Sequence, residues 1–171
     1  MVFQSLYIIR HGDRYDYSYP IWKETAIRPG DPPLSDLGHQ QASETGAYLS
    51  SLLMEDDLLD GTDVTFLSSP FLRCIQTSTN ILAQFSLNDA HLIKINPEYS
   101  VFEIDTGHDA HSCLPSMEER SCYFPRLDAS YDSVFVPDLP GMICISSPTD
   151  IQNCSYDLFC ISCLYMFRKI S

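Results

Sequence analysis

Hydrophobic residues along this chain form short continuous runs that predict strands. Leu6 to Ile9 lie on both faces of any extended segment, so residues 5–10 are predicted to form a fully buried strand. A second apolar run predicts a strand at 63–67. Residues 91–95, which hold Leu and two Ile between turn-forming flanks, predict a third.

Longer segments with helical spacing separate these runs. Ser35 is placed as the N-cap of the first helix, whose predicted inner face consists of Ala42, Thr45, Leu49, Leu52 and Leu53. Ser69 and Pro70 are placed as the N-cap and first-turn residue of the second, whose apolar spacing continues to about Phe85. Strands that alternate with helices indicate an α/β fold, with a parallel sheet and helices on both faces.

The rest of the chain is less regular. From 98 to 139, Pro, Ser, Asp and Cys interrupt any period every few residues, and long irregular segments of compact domains are often functional loops. After Gly141 the chain becomes rich in Cys and Ser and shows little helical spacing.

Candidate chemistry is concentrated where the first predicted strand ends. Arg10 and Arg14 flank His11 there. A neutral imidazole is a competent nucleophile near pH 7, and guanidinium forks match phosphate oxygens. The pattern predicts phosphoryl transfer through a phosphohistidine, against the simpler interpretation of a strand-end histidine bonded to the backbone.

Arg73 is predicted to lie in the first turn of the second helix. A cation at the positive end of a helix dipole is unfavourable unless an anion accompanies it. Arg73 is therefore expected to join Arg10 and Arg14 in clamping the non-bridging oxygens of a phosphate, although a surface role is the alternative.

Four segments carry a resemblance to a known family: 10–16, 31–34, 73–77 and 97–103. In order and spacing they resemble the histidine phosphatase, or phosphoglycerate mutase-like, superfamily. They are most similar to the branch that contains the suppressors of T-cell-receptor signalling and the ecdysteroid-phosphate phosphatases. The resemblance implies a three-layer α/β fold with a mostly parallel central sheet.

The same resemblance extends to about Pro140 and is absent beyond it. It divides the chain into a partial histidine phosphatase domain at 1–140 and a divergent tail at 141–171, so that the fold is expected to be incomplete at the C-terminus.

Roles follow from the resemblance. His11 is implied as the nucleophile, and Glu103 as the general acid that protonates the leaving oxygen. The apolar neighbours Phe102 and Ile104 would raise the pKa of that carboxyl group, as this role requires. Glu98 is the competing carboxylate, and either glutamate facing water is the plain alternative.

Aromatic residues follow the histidine loop directly. Tyr15, Tyr17 and Trp22 are candidates for a substrate pocket that would stack on an aryl phosphate such as phosphotyrosine. An aromatic core or rim patch is the alternative.

One family element is missing. Members of the family carry a second histidine on a late strand that lies next to the first strand. The other histidines of this chain are His39, His91, His108 and His111, and none of them follows an apolar strand in the corresponding part of the sequence. Losing such a donor typically costs about 2.7–4 kcal/mol, or roughly 10²–10³ in rate. Residues 142–145 are a candidate for the vacant strand position.

The composition of the chain limits which partners, cofactors and cellular locations are expected. A net charge of −13 argues against nucleic acid, which needs a basic face. Cys160 and Cys163 form a CxxC without a second pair, and no His follows position 111, so neither metal nor another cofactor is expected. The longest apolar stretch, 158–167, is about half of what a bilayer requires, and no export leader is recognised, which predicts a cytoplasmic protein.

The sequence thus leaves three functions open. The first is a metal-independent phosphomonoesterase acting on aryl or small organic phosphates at a reduced rate. The second is a pseudophosphatase that binds phosphate or a phosphotyrosine peptide without hydrolysis. A phosphoglycerate mutase-type phosphotransferase is the weakest, because ten basic residues leave little for a second phosphate site. The oligomeric state stays open.

Overall fold

The computed structural model describes residues 2–55, 64–86, 90–101, 114–133 and 163–170. Their strands are β1 (Val2–Arg10), β2 (Val64–Ser68), β3 (Ile95–Pro97) and β4 (Cys163–Ile170). Their α-helices are α1 (Tyr15–Ser18), α2 (Trp22–Thr25), α3 (Asp36–Glu55), α4 (Leu72–Leu82) and α5 (Met117–Ser121). Single 3₁₀ turns lie at Ala90–Leu92 and Tyr99–Val101.

The described strands form one sheet in the order β1-β4-β2-β3. β2 and β3 pair in parallel, and β4 is antiparallel to both β1 and β2. β1, β2 and β3 therefore run in the same direction, and their carboxyl ends lie at one edge of the sheet. In such sheets ligands bind at that edge.

Helices α3 and α4 pack on each other and on the sheet. The two helices approach each other closely at Gly46, because a Cβ there would lie 2.6 Å from the carbonyl oxygen of Ile81. The core beneath the two helices is aliphatic and aromatic and includes Leu49, Leu53, Phe66, Ile75, Ile81, Leu82 and Ile95. The α/β class and the long helix after Ser35 are as predicted.

Two of the predicted strands differ from the structure. β1 is not buried on both faces, because Tyr7 and Ile9 pack against the core whereas Leu6 and Ile8 are 50% and 57% exposed. The third strand is shorter and lies later, at Ile95–Pro97, since the Ala90–Leu92 turn occupies part of the predicted range.

The second helix also begins later than predicted. Its N-cap position is Phe71 rather than Ser69, and its first N–H group, that of Leu72, donates to Asp31 Oδ1 at 2.7 Å. A distant carboxylate thus provides the cap that a local serine was expected to supply.

The strand position between β1 and β2 is filled by β4, not by residues 142–145, which lie outside the described residues. Arg10 pairs with Cys163 and Ile9 with Leu164 in the β1–β4 ladder. On the other side of β4, Ser68 pairs with Leu164. β4 therefore begins at the same edge where β1 and β2 end.

Candidate active site

His11 follows the last residue of β1, at the edge where the parallel strands end. Its Nδ1 lies 2.7 Å from the Gly12 carbonyl oxygen. Because a carbonyl only accepts, Nδ1 carries the proton in this contact, and Nε2 of the neutral ring carries the lone pair. The ring is thus held in the tautomer that presents a nucleophilic nitrogen.

The loop after His11 is fixed by contacts with two helices. The Gly12 N–H donates to Thr77 Oγ1 of α4 at 3.2 Å, and the Asp13 N–H donates to Gln41 Oε1 of α3 at 2.8 Å. Gly12 and Gly38 touch backbone to backbone, since a Cβ on Gly12 would lie 2.9 Å from the Gly38 carbonyl carbon and closer still to its oxygen. Glycine is required at both positions for this approach.

Ser35 joins this loop to the start of α3. Its Oγ accepts from the Gly38 N–H at 3.1 Å, which is the N-cap bond expected from the sequence. The same hydroxyl donates to Asp13 Oδ2 at 2.6 Å, and the Ser35 N–H donates to the Asp13 carbonyl at 2.9 Å. The cap of α3 and the histidine loop therefore form one hydrogen-bonded unit.

Arg73 lies in the first turn of α4, as predicted, and is only 1% exposed. Its guanidinium lies over the Phe71 ring, 4.0 Å from the ring centroid. The Asp31 carboxylate caps α4 one residue earlier and pairs through Oδ2 with Arg120 Nη2 of α5. Asp31 and Arg120 are themselves 4% and 3% exposed. This buried ion pair holds the carboxylate that caps α4, and so fixes the first turn of the helix, where Arg73 lies.

Burial and the charges of three arginines act on the imidazole of His11. Burial lowers the pKa of His11 below 6.5, the Gly12 hydrogen bond opposes this, and the charges of Arg73, Arg10 and Arg14 each lower it further. The net effect keeps the imidazole neutral near pH 7.

Arg14 is held by Asp16 rather than extending freely toward the loop. Its Nε and Nη2 donate to the two carboxylate oxygens at 2.9 and 2.8 Å, and its guanidinium lies 4.6 Å from the centroid of the Tyr17 ring. Lys23 pairs with the same carboxylate at 3.0 Å. Burial would raise the pKa of Asp16, but the hydrogen bonds and charges of Arg14 and Lys23 bring it below its usual value. Arg10, at the end of β1, is exposed.

The three aromatic residues predicted to line a substrate pocket do not lie together. Tyr15 contacts the Trp22 ring edge-on, with centroids 6.3 Å apart, and stacks on Tyr19 at 4.6 Å. Tyr17 is 58% exposed and lies under Arg14 instead. Trp22 also lines a cavity next to the start of α4.

Glu103 lies outside the described residues. The competing carboxylate, Glu98, follows β3 and is 2% exposed, so the alternative in which it faces water is wrong. Its Oε1 accepts from Ser133 Oγ at 2.6 Å and from the Ser100 N–H at 2.9 Å, and its Oε2 accepts from the Tyr131 hydroxyl at 3.2 Å. Burial and the Glu98 charge raise the pKa of Tyr131, which keeps that hydroxyl a donor.

Sequence reasoning assigned no role to several residues that build this site, chiefly Asp31, Asp16 and Thr77. Asp31 belongs to the Asp-Pro-Pro-Leu segment that carries part of the family resemblance. Its partners, Leu72 and Arg120, are 41 and 89 residues away, so the sequence could not indicate them. Asp16 stands only two residues after Arg14, and this spacing could have indicated the ion pair between the two side chains.

Within the described residues, no group of three or more His, Cys, Asp or Glu side chains is placed to hold a metal ion. No helix of the described parts of the chain has both the length and the apolar character to cross a membrane.

Comparison with known proteins agrees with this geometry. The family model that describes the histidine phosphatase superfamily (branch 1) matches residues 6–120, which is more than half of the chain. The protein therefore belongs to the histidine phosphatase superfamily, and the resemblance stated from its motifs is confirmed.

One solved structure of similar fold is the ecdysone phosphate phosphatase, EPPase, from Bombix mori in complex with tungstate. The TM-score is 0.58 at 20% sequence identity, with 80% of this chain and 60% of that chain covered. The chain thus spans about 60% of the length of that relative, whose fold it shares. No match was found among curated proteins.

Proposed function

We propose that this protein is a phosphomonoesterase that works through a phosphohistidine on His11. The observation that supports this most directly is the placement of a neutral imidazole, with Nδ1 bonded to the Gly12 carbonyl, within the field of Arg10, Arg14 and Arg73. Membership of a phosphatase superfamily agrees with phosphatase-type activity.

The proposed reaction has two steps. His11 Nε2 attacks phosphorus, so that a P–N bond forms while the P–O bond to the leaving group breaks and the leaving oxygen takes a proton from a carboxyl group, for which Glu103 is the candidate. Water then attacks phosphorus, the P–N bond breaks, and the water proton returns to the carboxylate. The products are an alcohol or phenol and inorganic phosphate.

The arginines would act on the phosphoryl oxygens. Arg73 is buried at the positive end of α4, where the helix dipole adds to its attraction for an anion. Arg14 already uses its Nε and Nη2 donors on Asp16, so it would contact phosphate through a different edge of the guanidinium. A fork fixed in this way loses less entropy when phosphate binds.

Aryl phosphates are the proposed substrates. Tyr15 and Trp22, which contact each other edge-on, follow the histidine loop in the chain and would offer aromatic surface to a phenyl ring. A phenyl leaving group also departs more easily than an alkyl one, which suits a site to which the described strand β4 supplies no second histidine.

The test is hydrolysis of p-nitrophenyl phosphate by the parent protein, His11→Ala and, as the control, His91→Ala. His91 is exposed on a 3₁₀ turn, so its loss should leave the rate unchanged. We expect turnover to disappear with His11→Ala, and acid-labile phosphate to be trapped on the parent protein and on His91→Ala but not on His11→Ala. Equal rates for the parent and His11→Ala would refute the proposal.

A second function, phosphate binding without turnover, is favoured by β4. The strand between β1 and β2 contains no histidine, and Cys163 stands opposite Arg10 in the ladder. This strand therefore cannot supply the second histidine. The same proteins distinguish the two functions by orthovanadate binding: binding to the parent without turnover of any aryl phosphate would establish the pseudophosphatase.

A further inference from the structure

Thr77 lies on α4, one turn after Arg73, and is 2% exposed. Its hydroxyl donates to the Arg73 carbonyl oxygen at 2.8 Å and accepts from the Gly12 N–H at 3.2 Å. A hydroxyl has one proton and a carbonyl only accepts, so the proton points to Arg73 and the lone pairs of Oγ1 are left for Gly12. The hydroxyl thus links the helical turn that carries Arg73 to the loop that carries His11.

The bond from Gly12 distinguishes Thr77 from the two hydroxyl residues that follow it on α4. Ser78 and Thr79 also donate to the carbonyl oxygen four residues earlier, each at 2.8 Å. Such bonds back to the helix are ordinary for Ser and Thr. Among the described residues, Thr77 is the one of these three whose hydroxyl also accepts from an N–H outside the helix.

Water has little access to the Gly12 N–H, so it is a poor substitute for Thr77 there. Gly12 is buried, and the loop is packed so closely that a Cβ on Gly12 would lie 2.9 Å from the Gly38 carbonyl carbon. The next N–H of the loop, that of Asp13, donates instead to the exposed Gln41, where water can take over the bond. Thr77 therefore supplies the loop contact that is hardest to replace.

Other contacts fix the three arginines around His11. Arg10 is paired with β4 in the sheet, and Arg14 forms an isolated β-bridge with the loop before α3. Arg73 belongs to α4, whose first N–H is capped by a buried carboxylate. Loss of the Thr77 hydroxyl should therefore move the imidazole while leaving the three guanidinium groups nearly in place.

We propose that Thr77 is a positioning residue for the phosphatase reaction, and that its hydroxyl sets the His11 loop against the helix that carries Arg73. By holding the Gly12 N–H, it keeps the Gly12 carbonyl opposite His11 Nδ1, at 2.7 Å, and Nε2 directed at phosphorus. The effect on turnover rests on the proposed function, whereas the effect on the imidazole does not.

Three variants test this role. Thr77→Val has the same shape without the hydroxyl, and Thr77→Ser keeps the hydroxyl. Thr79→Val is the matched control, because it removes the same bond to the helix and no bond to the loop. In Thr77→Val the Arg73 carbonyl keeps the helical N–H four residues on, so the Gly12 N–H is the group that loses its partner.

The first measurement separates kcat from phosphate affinity. On p-nitrophenyl phosphate, Thr77→Val should lower kcat about 10-fold to 100-fold, since a misplacement of about 1 Å can cost that much. The Kd for inorganic phosphate, measured by calorimetry, should stay close to that of the parent, because the arginines are held by other contacts. Thr77→Ser and Thr79→Val should match the parent in both quantities.

The second measurement, nitrogen NMR of the histidine rings, needs no turnover. In Thr77→Val the Gly12 carbonyl is no longer held opposite Nδ1, so the ratio of the Nδ1–H to the Nε2–H tautomer of His11 should fall. We expect a fall of about twofold to tenfold, the value of one hydrogen bond. Thr77→Ser and Thr79→Val should keep the ratio of the parent.

An unchanged tautomer ratio in Thr77→Val, an equal loss of kcat in Thr79→Val, or a Thr77→Ser variant as impaired as Thr77→Val would each overturn the proposal. A parent without turnover would refute the phosphomonoesterase, and the tautomer ratios would then decide the role of Thr77 by themselves. Should Thr77→Val fail to fold, Thr77→Ala, which also lacks the hydroxyl, takes its place in each comparison.

Discussion

Asp31 Oδ1 accepts the N–H of Leu72 at 2.7 Å, which fixes the start of α4 one residue before the buried Arg73. Through its other oxygen the same carboxylate pairs with Arg120 of α5. A loop residue, a helix start and a second helix therefore meet at one buried carboxylate. The position of Arg73 depends on that junction.

Asp31→Ala should destabilise the protein strongly and weaken orthovanadate binding. The substitution leaves Arg120 buried without its partner, which costs about 3–5 kcal/mol, and removes the cap of α4. At about 2–4 °C per kcal/mol for a chain of this size, thermal unfolding should show a loss of roughly 6–20 °C. Asp132→Ala, at an exposed position, is the control and should melt with the parent.

Asp16→Asn should lower stability in a pH-dependent way. The pKa of Asp16 is depressed in the folded state, so its contribution is present above the ordinary value of 3.8 and is lost as the pH falls through the lower folded value. Urea unfolding should show a difference of about 1–3 kcal/mol at pH 7 that shrinks in acid. Glu24→Gln, on an exposed face of α2, should show little change at either pH.

Gly38→Ala should displace the histidine loop. The added Cβ would lie 2.8 Å from the Asp13 nitrogen and closer still to the Asp13 oxygen, so the loop or α3 must move. We expect a loss of about 1–3 kcal/mol, as for other overpacked positions, and weaker orthovanadate binding in calorimetry. The neighbouring Leu37→Ala, at a side chain that is 54% exposed, should affect neither.

His11 should titrate below pH 6.5 in the ligand-free protein. Burial and the charges of Arg73, Arg10 and Arg14 disfavour the protonated ring. An NMR titration of the imidazole, assigned with His11→Gln, measures this directly. Because the unfolded chain takes up the proton first as the pH falls below 6.5, the parent should lose stability there and His11→Gln should not. A midpoint above 6.5 would contradict this arrangement.

Met166→Pro should disrupt the sheet. Met166 lies in the middle of β4 and is paired with Tyr7 on one side and Phe66 on the other. Proline removes a ladder N–H and is excluded from central strands. We expect a lower melting temperature than for Met166→Ala, measured by circular dichroism. Equal melting of the two variants would place 163–170 outside the sheet.

The sequence by itself determined the fold class, because apolar runs that alternate with helical spacing allow few other arrangements. It also placed His11 at the end of a strand, Arg73 in a first helical turn and Ser35 as a helix cap, since each depends on neighbours within a few residues. Glu103 and the tail at 141–162 lie outside the described residues, and their assignments stay predictions.

Only the tertiary structure decided the contacts between distant segments. Asp31 replaces Ser69 as the cap of α4, Glu98 is buried among Ser100, Tyr131 and Ser133, and β4 separates β1 from β2. A local pattern shows that a polar group needs a partner or that a strand needs neighbours, but which ones it meets depends on how the whole chain packs.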